Sequence, residues 1–181
     1  MNRLSVFVLC SVIVASASMI TAGPAIQEDA KEQKVKIAQL PTAVAEAIKT
    51  NCSGCTIDKA TREIENGVTV YDIEFKRGHG EIAIAEDGSV IDRETVVPLN
   101  DVPAAALAAI RTGASGAKIK QVAKGEIRAE LKDGQIIKLG SPRYVYEAEL
   151  KKGNQVAEIE VSSEGKVIEG PVWVKRGAKE N

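Results

Sequence analysis

Val70-Tyr71-Asp72-Ile73-Glu74-Phe75 and Val145-Tyr146-Glu147-Ala148-Glu149-Leu150 are two copies of one pattern, with apolar and acidic side chains alternating from the tyrosine onward. A period of two marks a strand with one dry and one wet face. Tyr71, Ile73 and Phe75 are therefore expected to face a core, with Tyr146, Ala148 and Leu150 as counterparts. Asp72, Glu74, Glu147 and Glu149 are expected to face water.

Each copy sits in the same local order. Leu40-Pro41-Thr42 opens a helical stripe of Leu40, Val44, Ala47 and Ile48, with Pro41 in the first turn, where its missing N–H costs nothing. A helix of about ten residues is marginal alone, so the stripe must press on a sheet. Ile57 to Glu65 then reads as a strand, Asn66-Gly67 as a hairpin turn, and Glu81 to Glu86 and Ser89 to Val96 as two further strands separated by Asp87-Gly88. The series returns from Val102-Pro103 to Arg111 with an offset of 62 (Pro41 to Pro103, Ile48 to Ile110). The offset grows to 75 at Tyr146, so 13 residues enter between, and Lys132-Asp133-Gly134-Gln135 marks them as an added or lengthened hairpin.

The expected fold is α+β: two tandem units, each a short helix on a four-stranded antiparallel sheet, the second with an inserted hairpin. Residues 40–97 form the first unit, 98–101 a linker, and 102–175 the second, whose last strand is expected through Val172-Trp173-Val174. Leu40, Val44 and Ile48 should pack on Tyr71, Ile73, Phe75, Ile82 and Ile84. Val102, Ala106 and Ile110 should pack on Tyr146, Ala148, Leu150, Ile159 and Val161.

Turn lengths set the pairing. A two-residue Gly153-Asn154 turn places Tyr146 opposite Val161, Glu147 opposite Glu160, Ala148 opposite Ile159 and Glu149 opposite Glu158. A two-residue Gly78-His79 turn would place Phe75 opposite Ile82 and Ile73 opposite Ile84, leaving Asp72 and Glu74 opposite Ala85 and Ala83. The second unit thus carries four carboxylates on one face, an arrangement that costs stability and should raise their pKa values. Relief by Lys151 and Lys166 on a plain soluble surface is one reading. A receiving surface for a basic partner is the other, with a calcium ion held by oxygen ligands as a further option.

Residues 1–22 read as a secretory signal peptide: Asn2-Arg3 precedes an apolar run from Leu4 to Ala15, too short to span a membrane, and a small-residue region in which cleavage near Ala22 fits. The expected location is secreted or periplasmic, with no membrane span after signal removal. Residues 23–39 read as a flexible leader and 176–181 as a loose tail. Without Arg3 the chain has 23 basic and 25 acidic side chains, a balance that calls for neither nucleic acid nor an anionic membrane.

Cys52 and Cys55 are the two cysteines beyond the signal segment, and in an oxidising compartment a local disulfide is the default. Free thiols, a weak metal site and thiol–disulfide exchange are the alternatives. Their place after a helix, near its C-terminal end, disfavours a reactive thiolate, and the second unit has Ala114 and Ala117 there. His79, the one histidine, sits between two glycines in a turn and suits no nucleophile or metal set. No phosphate-binding loop is present. No catalytic residue, metal or cofactor is expected. Arg143 and Tyr144 are residue types that anchor protein interfaces; Trp173 is expected to fill the end of a small core.

The ordered set resembles the PepSY family, in its β-lactamase-inhibitor-like, PepSY-like branch. The residues that carry the resemblance are Leu40-Pro41 to Ile48, Val70-Tyr71-Asp72-Ile73-Glu74 and Glu86-Asp87-Gly88-Ser89-Val90. They return as Val102-Pro103 to Ile110, Val145-Tyr146-Glu147-Ala148-Glu149 and Ser163-Glu164-Gly165-Lys166-Val167. The resemblance implies an exported protein-binding or inhibitory module, not an enzyme, acting on a peptidase or another envelope protein. No peptidase domain or membrane helix accompanies it here, which argues against a propeptide role in cis. The expected protein-binding residues are Asp72, Glu74, Glu147, Glu149, Glu158, Glu160, Arg143 and Tyr144. A thiol–disulfide or metal-handling role of Cys52 and Cys55 is the competing function.

Overall fold

The computed structural model describes residues 30–175; the signal segment with its cleavage site and the tail 176–181 lie outside the described residues. Two helices, α1 (Thr42–Asn51) and α2 (Ala104–Ala114), lie among strands β1 (Ala30–Lys34), β2 (Ile57–Glu65), β3 (Val68–Phe75), β4 (Glu81–Ala85) and β5 (Val90–Val97), then β6 (Lys118–Lys132), β7 (Gln135–Lys152), β8 (Gln155–Ser162), β9 (Val167–Glu169) and β10 (Val174–Lys175). A 3-10 turn precedes each helix, at Ile37–Gln39 and Leu99–Asp101, so the repeat reaches into both the leader and the linker. The fold is α+β and mostly antiparallel sheet.

The two units do not hold separate four-stranded sheets. β5 pairs with β6 from Asp92 opposite Ile127 to Val97 opposite Val122, which fuses them into one ten-stranded sheet. Both helices pack on one face of it. Val44 and Ile48 meet Tyr71, Ile73, Phe75, Ile82 and Ile84 in one core. Val102, Ala106 and Ile110 meet Tyr146, Ala148, Leu150, Ile159 and Val161 in the other, with Trp173 half-buried against it.

The repeated turn glycines explain how each helix is seated. Gly88 and Gly165 have φ of +87° and +82°, a region that side chains rarely adopt. A Cβ on Gly88 would lie 3.0 Å from the Ala43 carbonyl oxygen, and one on Gly165 would lie 2.6 Å from that of Ala105. The turn after β4 and the turn after β8 therefore press bare backbone against the first turn of their own helix.

Three expectations change. Within the leader, Ala30–Lys34 forms an edge strand against β2 rather than a flexible segment. The β3–β4 connection is a five-residue loop, Lys76 to Gly80, containing a 3-10 turn, not a two-residue turn. Pairing therefore slides by two residues: Ile73 lies opposite Ile82, Tyr71 opposite Ile84, Asp72 opposite Ala83 and Glu74 opposite Glu81. The third is the last strand, which divides into β9 and β10, both on β8. The β7–β8 register is the one that the two-residue turn requires.

The inserted residues lengthen β6 and β7 into an arm. Ala129 joins Val70, Ala83, Ala85 and Ile91 in a third apolar cluster on the face away from the helices, with Leu131 and Ile136 packed against it. Arg128, at the arm's base, donates from Nη1 to Asn51 Oδ1 at the end of α1 across 2.9 Å. The arm thus roofs part of the first unit's open face.

Candidate functional site

Strand alternation sends every second residue to the face away from the helices. Cross-strand pairing then sorts those residues into rows. One row runs Thr61, Asp72, Ala83, Asp92, Ile127, Arg143. The next runs Lys59, Glu74, Glu81, Glu94, Gly125, Val145. Beyond them lie Ala123, Glu147, Glu160, Glu169 and then Gln121, Glu149, Glu158. Carboxylates therefore cross from β3 to β9 on one surface, through both units.

The charges of Glu158 and Glu160 on β8 act on Glu94 on β5, and that of Glu81 on β4 acts on Glu147 on β7. The rows of the two units therefore form one electrostatic band on the open face.

Burial and crowding hold several of these groups above the carboxylate range. Asp72 is buried and its pKa is raised to about 7, by desolvation first and then by Glu63, Glu65, Glu81 and Glu32. Desolvation, then Glu94, Asp72, Glu65 and Glu81, raise Asp92 well above its ordinary value. Glu94 is raised to about 7 by burial, Glu81, Glu160 and Glu158. Glu147 is raised to about 9 by burial, Glu94, Glu158, Glu160 and Glu81. Burial with Glu149 and Glu169 raises Glu158; burial with Glu169, partly offset by Arg143, raises Glu160.

Few cations answer them. Lys59 bridges Glu32 at 2.8 Å and Glu74 at 3.1 Å, and Arg143 pairs with Glu130 at 2.8 Å. Among the described residues no ion pair within 4.0 Å engages Glu147, Glu149, Glu158 or Glu160. Neither Lys151 nor Lys166 supplies one.

Seven of the eight residues expected to bind protein share this face: Asp72, Glu74, Glu147, Glu149, Glu158, Glu160 and Arg143. Asp72 is on the expected face but not in water, being 8% exposed. Arg143 stands at the edge of the same face. Tyr144 does not belong with them: alternation puts it on the helix side, where its ring lies 4.1 Å beneath Lys124 Nζ. Glu81, Asp92, Glu94 and Glu169 join the face unanticipated. The spacing of Asp92 and Glu94, two apart within an alternating strand, was their available signal.

Cys52 and Cys55 form a disulfide with Cα atoms 5.5 Å apart, at the C-terminal end of α1. Cys52 is buried in the first core. His79 is exposed in the β3–β4 loop. Among the described residues no three His, Cys, Asp or Glu side chains form a metal-ligand set, and no helix is long and apolar enough to cross a membrane.

The profile of the family described as "Putative beta-lactamase-inhibitor-like, PepSY-like" matches the chain twice, over residues 24–92 and 89–169. The chain belongs to this PepSY-like family. The two PepSY-like matches meet within β5, the strand through which the units share their sheet. Among solved structures, a chain from Bacteroides eggerthii DSM 20697 described under "putative periplasmic proteins" is similar at 15% identity, with 76% of this chain and 91% of that one covered and a TM-score of 0.52. A BLIP-like protein from Bacteroides fragilis NCTC 9343 is similar at 19% identity over 78% of this chain and 92% of that one, with a TM-score of 0.48. At 15% identity the first of these likenesses speaks for the fold alone. Comparison with curated proteins returns no match.

Proposed function

We propose that this PepSY-like chain is an exported, non-catalytic protein-binding module whose open acidic face receives a basic surface of a partner. The observation that carries this reading is the band of carboxylates running through both units, with Glu147, Glu149, Glu158 and Glu160 in no ion pair among the described residues. Crowding like charges across paired strands destabilises the free protein, and a cationic partner would relieve that cost on docking. Association steered by such a field is fast and salt-sensitive. The family's inhibitor-like description supports a partner whose activity is modulated, an envelope peptidase being one class.

The test is capture from the envelope fraction of the source cells with immobilised protein over a range of salt. Capture should be strong at low salt and fade as salt rises. Changing Glu149 and Glu158 together to Gln should weaken it most at low salt. Equal capture by the double variant at every ionic strength would reduce the band to a solvated surface.

A further inference from the structure

We infer that Asp72 and Asp92, standing either side of Ala83 on the open face, form a pocket for one cationic side chain, a lysine or arginine carried by the partner's basic segment. This rests on the binding reading above and names its anchor point. The three residues occupy one cross-strand row on β3, β4 and β5. Strands are spaced about 4.8 Å apart, so the two carboxyls flank a position filled by a single methyl group. Val70, Ala85, Ile91 and Ala129 pack with Ala83 on the same side, so the pit lies beside an apolar cluster under the arm.

Asp92 supplies the independent sign of a missing ligand. Its side chain is 9% exposed, and Oδ1 is buried without a hydrogen-bond partner among the described residues. A buried polar atom left in that state costs about 1–3 kcal/mol, more for a charged group. The protein's own nearby cations are committed elsewhere: Lys59 to Glu32 and Glu74, Arg143 to Glu130, and Arg128 to Glu126. A hydrogen-bonding ammonium or guanidinium reaching between two carboxyls in a dry site makes charge-assisted bonds of the strongest kind. A hard metal ion would need six or more oxygen ligands, and no such set forms among the described residues. The two residues keep a little exposure, 8% and 9%, although Asp92 Oδ1 itself is buried.

Proton linkage gives this pocket a signature. The groups facing Asp92 are Glu94 on its own strand, Asp72 on β3, Glu65 on β2 and Glu81 on β4, with Arg143 of β7 farther along its row. All the near ones are acidic and, with burial, favour its protonated form, so a cation gains its partners as Asp92 and Asp72, the latter raised to about 7, lose their protons. Binding should therefore tighten as pH rises.

Two fluorescent twelve-residue probes, alternating Lys-Thr and Arg-Thr, would be titrated by anisotropy into the mature protein at low salt. We expect at least one to bind, tightening several-fold from pH 6 to pH 8. Asp92→Asn should weaken it tenfold or more and flatten the pH dependence, and Asp72→Asn should act in the same direction. Unchanged affinity and pH dependence in Asp92→Asn, with weakening in the Glu149→Gln, Glu158→Gln variant, would overturn the pocket and leave the surface reading intact. Failure of both probes to bind the wild-type protein would overturn both.

Discussion

The backbone N–H of Gly134 donates to the carbonyl oxygen of Asn66 across 2.7 Å, joining the tips of two hairpins that belong to different repeats. Gly134 ends the arm that the 13 extra residues create, and Asn66 turns β2 into β3. The insertion therefore ties the second unit across the open face of the first, and its apolar residues seal Val70, Ala83 and Ala85.

If so, the Gly134 amide should be protected from hydrogen exchange. Changing Leu131 and Ile136 together to Asp should abolish that protection while leaving amides in β7 and β8 protected. Exchange at Gly134 as fast as in a free loop in the wild-type protein would show that the arm is not docked.

The arm also marks where sequence reading stops. Alternation assigned Tyr71, Ile73 and Phe75 to the core because a one-residue slip would put all three in water. It could not distinguish Ile73 opposite Ile84 from the observed Ile73 opposite Ile82, because a two-residue slip keeps every side chain on its face. Glu147 and Glu149 found their partners because Gly153-Asn154 leaves a single short-turn solution. Nothing local to Asp72 distinguishes a solvated carboxyl from a buried one. Residues around 129–136, far off in the chain, cover its neighbours Val70 and Ala83, and the band's continuity comes from β5 meeting β6 across α2.

The turn glycines should be intolerant of even a methyl group. Gly165→Ala would set a Cβ 2.6 Å from the Ala105 carbonyl oxygen at a positive φ, and Gly88→Ala would set one 3.0 Å from that of Ala43. Each should cost more than about 1 kcal/mol, the usual scale of such backbone effects, with Gly165→Ala the worse because its contact is closer. Urea midpoints would decide it; a Gly165→Ala variant as stable as wild type would refute the close seating of α2.

The disulfide should matter little to folding. In the first unit Cys55 N–H donates to the Cys52 carbonyl at 3.1 Å, and in the second Ala117 donates to Ala114 at 2.9 Å. The same turn thus forms in both units, with and without sulfur, and Ala114 fills the matching place in its own core. A loop this short gains little from cross-linking. Cys52→Ala with Cys55→Ala should lower stability by no more than about 2 kcal/mol. An unfolded double variant, or a reduction potential in the range of catalytic oxidants, would contradict a structural role of this modest size.

Stability should fall as pH rises from about 5 to 9. Asp72 and Glu94 carry folded pKa values of about 7 and Glu147 of about 9, against ordinary values of 3.8 for Asp and 4.5 for Glu. The folded chain therefore keeps protons that the unfolded chain has lost above its own carboxylate range. In that window the unfolded state binds fewer protons, so unfolding becomes more favourable with each rise in pH. Each such proton contributes about 1.4 kcal/mol per pH unit at most, and solvent screening reduces the share of half-buried Glu94 and Glu147. Glu32 works in the opposite direction, because its hydrogen bond and charge pairing with Lys59 lower its pKa, but that stabilisation is lost only on acidification through the ordinary carboxylate range. Urea midpoints at pH 5, 7 and 9 should therefore decline in that order. Asp72→Asn and Glu147→Gln should flatten the decline and raise the midpoint at pH 9. Midpoints that climb from pH 5 to pH 9 would mean that the open face holds its carboxylates charged and paired, and the crowding on which docking of a cationic partner rests would have to be given up.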